Sequence, residues 1–236
     1  MERVLNQLVE RLRKAHGDGL VSVVLYGSAA VGDHHGRFSD INVLCVLRQV
    51  TPAELGASAS VFRWWRDLGN PSPLLMSVDE VRTSTDCFSI EFHDIRERHR
   101  ILTGDDVVKD LDIDDSFYRA QVEHELRAKL LRLRQKGAGV LAKPDLLREL
   151  LADSLSTFCV LFRHALRLAG EQSGFEKRQI LAKAQERFGI DPSPFEKILE
   201  VREGKRKPRE VDSTPLFEGY LKQIQIVVDV VDQFEK

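Results

Sequence analysis

The first half of the chain alternates between short apolar runs and amphipathic stretches. Leu5, Leu8 and Leu12 recur at the spacing of a helix with one buried face. The segment Thr51-Pro52-Ala53-Glu54 has the pattern of a capping box with proline in the first helical turn. The pattern predicts a small α/β unit whose elements are a helix closed near 17, strands 21–27 and 41–47, a helix over 52–68, strand 74–77, a helix after 77, strand 87–93 and a final segment 101–104.

From residue 114 onward the apolar positions follow a helical period. Leu147, Leu151 and Leu155, for example, share one side of the longest stretch. We therefore expect a bundle of about five helices, over 117–135, 144–168, 176–188, 194–202 and 215–234. This change of period predicts two domains, residues 1–110 and residues 111–236.

The composition narrows the function classes. The 236 residues are 42% hydrophobic and 31% charged, and their net charge of −2 argues against a general nucleic-acid binder, which carries a basic excess. No apolar run approaches the roughly 18 residues that span a membrane, and the amino terminus does not read as a signal peptide. Three widely spaced cysteines make no metal motif and predict reduced thiols. We therefore expect a cytoplasmic protein without a membrane partner.

The chemistry-bearing segment is residues 21–42, VSVVLYGSAAVGDHHGRFSDIN. A β-branched run ends in Gly27-Ser28, a polar loop follows, and Asp40-Ile41-Asn42 opens a second apolar run. Glycine lets the backbone approach a phosphate, and the free N–H groups at a helix start after Ser28 can hold one. Residues two apart on a strand point to the same face, so Asp40 and Asn42 are expected to project into one cleft.

This segment resembles the signature of the nucleotidyltransferase superfamily, which includes DNA polymerase beta and kanamycin nucleotidyltransferase. The resemblance implies an α/β (α+β) fold, a small mixed sheet with flanking helices, joined to an all-α helical bundle. It implies nucleotide binding at Gly27 and Ser28, with ATP or another nucleoside triphosphate as donor. It also implies Mg²⁺ at Asp40 and Asn42, where two such ions clamp the attacking and leaving oxygens. The acceptor is a hydroxyl group on a small molecule or a macromolecule.

The chain departs from that signature at one position. Asn42 stands where the family has its second metal-binding carboxylate, and an amide brings no negative charge to a cation that carboxylates and phosphates usually hold. For the third acid of the family, Glu91 lies between Ile90 and Phe92 in a period-2 pattern typical of a strand. Glu91 is therefore the predicted third acid and general base, and Asp94 is the alternative if the strand ends or bulges there.

These observations favour a protein of the nucleotidyltransferase fold whose metal-dependent transfer is reduced or lost. The predicted catalytic set is Asp40, Asn42 and Glu91. One alternative is an active metal-dependent transferase that moves a nucleoside monophosphate from a nucleoside triphosphate to a hydroxyl acceptor. The other is a regulatory or toxin–antitoxin-type interaction module. The sequence leaves open the acceptor, and whether the protein pairs with a second copy as a homodimer or with a helical protein partner.

Overall fold

The computed structural model describes residues 1–32 and 41–234. The chain forms two compact units, Met1–Phe117 and Tyr118–Lys236. The assignment of residues 1–110 and 111–236 to separate domains stays a prediction. The first unit contains helices α1 (Glu2–His16), α2 (Pro52–Asp67), α3 (Val78–Thr83) and α4 (Ser89–Glu97), and strands β1 (Leu20–Tyr26), β2 (Asn42–Leu47), β3 (Leu74–Ser77) and β4 (His99–Gly104).

The described strands form one mixed sheet in the order β3-β2-β1-β4. β1 is antiparallel to both β2 and β4, whereas β3 is parallel to β2. A parallel pair needs a crossover connection, and α2 provides it between β2 and β3. The end of β1, the start of β2 and the start of β4 therefore lie side by side at one end of the strands.

Successive strand residues point to opposite faces, so the sheet has two apolar faces. One core joins the sheet to α1 and α2, and Trp65 is its largest fully buried side chain. The other core joins Val24, Leu44 and Val46 to Phe92 of α4 and to Val108. Because both faces are covered, the two central strands β1 and β2 are buried along most of their length.

Two helix starts follow the predicted capping chemistry. The Thr51 side chain accepts a hydrogen bond from the backbone N–H of Ala53, and Glu54 accepts one from the Thr51 N–H at 2.9 Å. Ser77 and Glu80 form the same reciprocal arrangement at the start of α3. Each box satisfies N–H groups that have no partner inside the helix.

The predicted strand 87–93 is wrong, because most of this segment lies in helix α4. Phe92 and Ile95, three residues apart, are both 1% exposed, which is a helical spacing of buried positions. A strand would place Phe88 on the same face as Phe92, yet Phe88 is 48% exposed. The edge beside β1 is occupied instead by β4, so Glu91 lies on a helix and not on the sheet.

The second unit consists of helices in its described part. They are α5 (Tyr118–Val140), α6 (Pro144–Leu168), α7 (Lys177–Phe188), α8 (Ser193–Arg202) and α9 (Ser213–Asp232). Aromatic rings from three of them meet in its core, with the ring centres of Phe195 and Tyr220 4.5 Å apart. The fold class is therefore as predicted, a small mixed sheet with flanking helices followed by a helical region. None of the described helices has the length and apolar content needed to cross a membrane.

Candidate functional site

The turn after β1 depends on glycine. Gly27 adopts φ 77° and ψ −153°, a region that residues with a Cβ atom hardly occupy. Its N–H donates to the carbonyl oxygen of Arg98 at 2.9 Å, and its own carbonyl accepts from Ala30 at 3.1 Å. The turn is therefore tied to the start of β4, and Ser28 begins a short 3₁₀ helix. The nucleotide-binding role of Gly27 and Ser28 stays a prediction.

A row of three side chains crosses the sheet beside this turn. Tyr26, the last residue of β1, pairs with Asn42 of β2 on one side and with His99 of β4 on the other. Directly paired residues of antiparallel strands point to the same face. A methyl group on Gly27 would lie 3.4 Å from Nδ2 of Asn42. The Asn42 side chain is therefore next to the glycine turn, with its amide nitrogen Nδ2 toward Gly27.

The first acid of the motif lies outside the described residues. Asp40 and the loop 33–39 belong to the segment on which the structure gives no description. The convergence of Asp40 and Asn42 on one metal ion therefore stays a prediction.

Helix α4 brings two carboxylates to this row. Burial, followed by the charges of Glu91 and Asp94, raises the pKa of the Tyr26 phenol to about 12. Both acids are thus close enough to act electrostatically on the residue between Asn42 and His99. The predicted strand for Glu91 is wrong, yet the helix places Glu91 and Asp94 on the side of the sheet where an acid was expected. The third-acid role of either residue stays a prediction.

The strand beside β2 supplies no carboxylate. β3 pairs with β2 from Leu74 opposite Leu44, two residues beyond the level of Asn42. No aspartate or glutamate occurs between Asp67 and Asp79, and this whole stretch is described. β3 itself therefore offers no acid beside Asn42.

His99, at the other end of the row, is held by two acceptors. Its Nδ1 lies 3.2 Å from the carbonyl oxygen of Arg96, and its Nε2 lies 3.2 Å from Oδ2 of Asp106. A carbonyl and a carboxylate can only accept, so each contact is a hydrogen bond only when the ring nitrogen that faces it carries a hydrogen. Partial burial raises the pKa of Asp106, but hydrogen bonds from His99 and from the N–H groups of Val108 and Lys109 bring it below its ordinary value. Sequence reasoning missed this pair because no local pattern links the two residues.

The described side chains do not fit a two-metal centre. Within residues 1–32 and 41–234, no three histidine, cysteine, aspartate or glutamate side chains are grouped as metal ligands. The Asn42 amide oxygen is a neutral ligand, whereas Mg²⁺ is usually held by carboxylates and phosphates.

Comparison with solved structures bears on the fold. The chain superposes on spectinomycin adenyltransferase AAD(9) from Enterococcus faecialis, solved with ATP and spectinomycin, with a TM-score of 0.60 and 13% identity over 95% of this chain and 99% of that chain. A toxin–antitoxin complex solved with AMP-PNP gives a TM-score of 0.30 and 18% identity over 42% of this chain and 73% of that chain, too distant to support an argument. No family model and no curated protein matches the sequence. At 13% identity the first likeness establishes fold alone. The chain therefore has the same overall fold as spectinomycin adenyltransferase AAD(9).

Proposed function

We propose that the protein binds a nucleoside triphosphate, ATP or a similar donor, at the Gly27–Ser28 turn, and that its metal-dependent transfer of a nucleoside monophosphate is reduced or lost. The observation that carries the proposal is the position of Asn42. Its side chain is beside the turn, at the start of β2, where the transferase signature has a carboxylate. A neutral amide there weakens the hold on a second cation, whose task is to stabilise charge on the reacting oxygens.

The composition of β3 supports the same conclusion independently. A lost ligand can be replaced by an acid on the neighbouring strand, but the stretch from Leu68 to Val78 contains none. If Mg²⁺ binds, Asp40 and Asn42 are the residues that hold it, with one negative charge between them. The cation would supply charge neutralisation at the phosphates.

An active transferase is the second candidate, and the acids of α4 favour it. Glu91 and Asp94 act on Tyr26 electrostatically, and one of them is the proposed general base toward a hydroxyl acceptor. The acceptor would be a small molecule or a macromolecule. Assembly with a second copy or with a helical protein partner, and a regulatory or toxin–antitoxin-type role, stay predictions.

Calorimetric titration of Mg·ATP into the wild type and into Asn42→Asp, followed by a pyrophosphate-release assay, tests the proposal. We expect weak magnesium dependence in the wild type and tighter Mg·ATP binding in Asn42→Asp, since the substitution restores a charged oxygen at nearly constant volume. A tenfold gain corresponds to about 1.4 kcal/mol. Asn6→Asp makes the same chemical change on the exposed side of α1 and should leave the affinity unchanged.

The opposite pattern would reverse the order of the two candidates. Tight, magnesium-dependent binding by the wild type, with pyrophosphate release that Asn42→Asp weakens, means that the amide is an adapted metal ligand. The active transferase would then take first place.

A further inference from the structure

The Asn42 amide presents a hydrogen-bond donor toward the glycine turn, where a phosphate group would lie. The atom next to the glycine turn is Nδ2, which carries two hydrogens and can only donate. An aspartate at this position would present an acceptor oxygen, which repels a phosphate unless a cation lies between them. The amide nitrogen needs no such cation, because phosphate oxygens accept its hydrogens directly.

A second donor follows Asn42 in the row. Tyr26 pairs with Asn42 across the β1–β2 ladder, so the two side chains leave the sheet on the same face, and Tyr26 is only half-buried. A phenol carries its proton at neutral pH and donates one hydrogen bond. Two neutral donors on adjacent strands therefore flank the end of β1, where Gly27 brings the backbone close to any ligand.

Building on the proposed function, we propose that Asn42 and Tyr26 donate hydrogen bonds directly to the phosphate chain of a nucleoside triphosphate, which the site thus binds without a divalent cation. The substrate class is a metal-free polyphosphate. Charge-assisted hydrogen bonds of this kind are about twice as strong as neutral ones.

The test measures ATP and inorganic tripolyphosphate binding by calorimetry, once with EDTA and once with excess Mg²⁺. The wild type should bind both ligands with similar affinity in the two conditions. With EDTA, Tyr26→Phe and Asn42→Ala should each weaken binding about tenfold, for both ligands alike, since each removes one donor to phosphate. Asn42→Asp should weaken binding further with EDTA and bind ATP more tightly than the wild type with Mg²⁺, whereas Asn6→Asp should match the wild type in both conditions.

Three results would overturn the inference, and they separate it from the proposed function. Wild-type binding that requires Mg²⁺ refutes metal-free recognition while leaving a nucleotide site in place. Unchanged affinity of Asn42→Ala and Tyr26→Phe with EDTA refutes the two donors. Absence of ATP binding in both conditions refutes the inference together with the proposed function. Urea unfolding of each variant separates a lost contact from a lost fold.

Discussion

The backbone conformation of Gly27 predicts how much a substitution there changes the free energy of unfolding. At φ 77° and ψ −153° an alanine is strained by about 1–3 kcal/mol. Crowding adds little, because the new methyl group would lie 3.4 Å from Asn42 Nδ2, an ordinary van der Waals contact. Gly27→Ala should therefore lower the free energy of unfolding by about 1–3 kcal/mol, and it should weaken nucleotide binding by displacing the turn.

Two other glycines of the same unit calibrate this value. Gly56 is exposed inside α2 with open space around it, so Gly56→Ala should stabilise the unit by up to about 1 kcal/mol through helix propensity. Gly104 combines φ 82° with a site where a methyl group would overlap the Val21 carbonyl oxygen. Gly104→Ala should therefore cost the strain of about 1–3 kcal/mol and, for the overlap, a similar amount of about 1–3 kcal/mol.

Urea unfolding followed by tryptophan fluorescence measures all three variants. Both tryptophans, Trp64 and Trp65, lie on α2, so the signal reports the unit that contains the three glycines. The midpoints should fall in the order Gly56→Ala, wild type, Gly27→Ala, Gly104→Ala. If Gly27→Ala unfolds at the same urea concentration as the wild type, the left-handed turn is not present and the reasoning about the phosphate site loses its basis.

Two further predictions concern charged side chains. Hydrogen bonds from Thr51 and Gln49 lower the pKa of Glu54 to about 2 from its ordinary 4.5, so the stabilising contribution of Glu54 is present above pH 4.5 and lost as the pH falls toward 2. Glu54→Gln should make the urea midpoint depend less on pH across that interval, whereas Glu10→Gln, at an exposed position, should not. An unaltered pH dependence in Glu54→Gln would contradict the assignment. Glu91→Gln should tighten ATP binding in EDTA, because it removes a negative charge that opposes phosphate. Glu97→Gln, at the exposed end of α4, is the control. Loss of pyrophosphate release in Glu91→Gln would instead identify Glu91 as a general base.

Most elements could be predicted because each has a strong local signal. Helix α6 spans Pro144–Leu168, the predicted range, since proline marks its first turn and a long apolar stripe continues to its end. Helix α4 was mistaken for a strand because three apolar residues in alternation fit both periods over so short a segment. Ile95, buried on the same helical side as Phe92, is the position that distinguishes the two.

The sequence predicted site residues only where the local backbone conformation requires one residue type. Gly27 is such a case, since the turn after β1 requires a conformation that glycine alone adopts readily. The row of Asn42, Tyr26 and His99 depends instead on the strand order. That order places β4 beside β1, although strands β2 and β3 and helices α2, α3 and α4 lie between them in sequence. Local patterns carry no information on that order, and for the same reason the contact of His99 with Asp106 was not foreseen.

The amide at Asn42 affects the binding and the transfer stages of a reaction differently. Binding a triphosphate needs donors that match the phosphate oxygens in the ground state, and Asn42 and Tyr26 are such groups. Transfer needs charge neutralisation that grows as the bond to the leaving pyrophosphate breaks, and a neutral amide cannot increase its contribution in that way. Restoring the carboxylate at Asn42 strengthens the hold on the cation, but β3 offers no acid and the predicted third acid lies on helix α4 instead of a strand. The expected signature of this site is therefore nucleotide binding that Asn42→Asp makes magnesium-dependent, with little gain in pyrophosphate release.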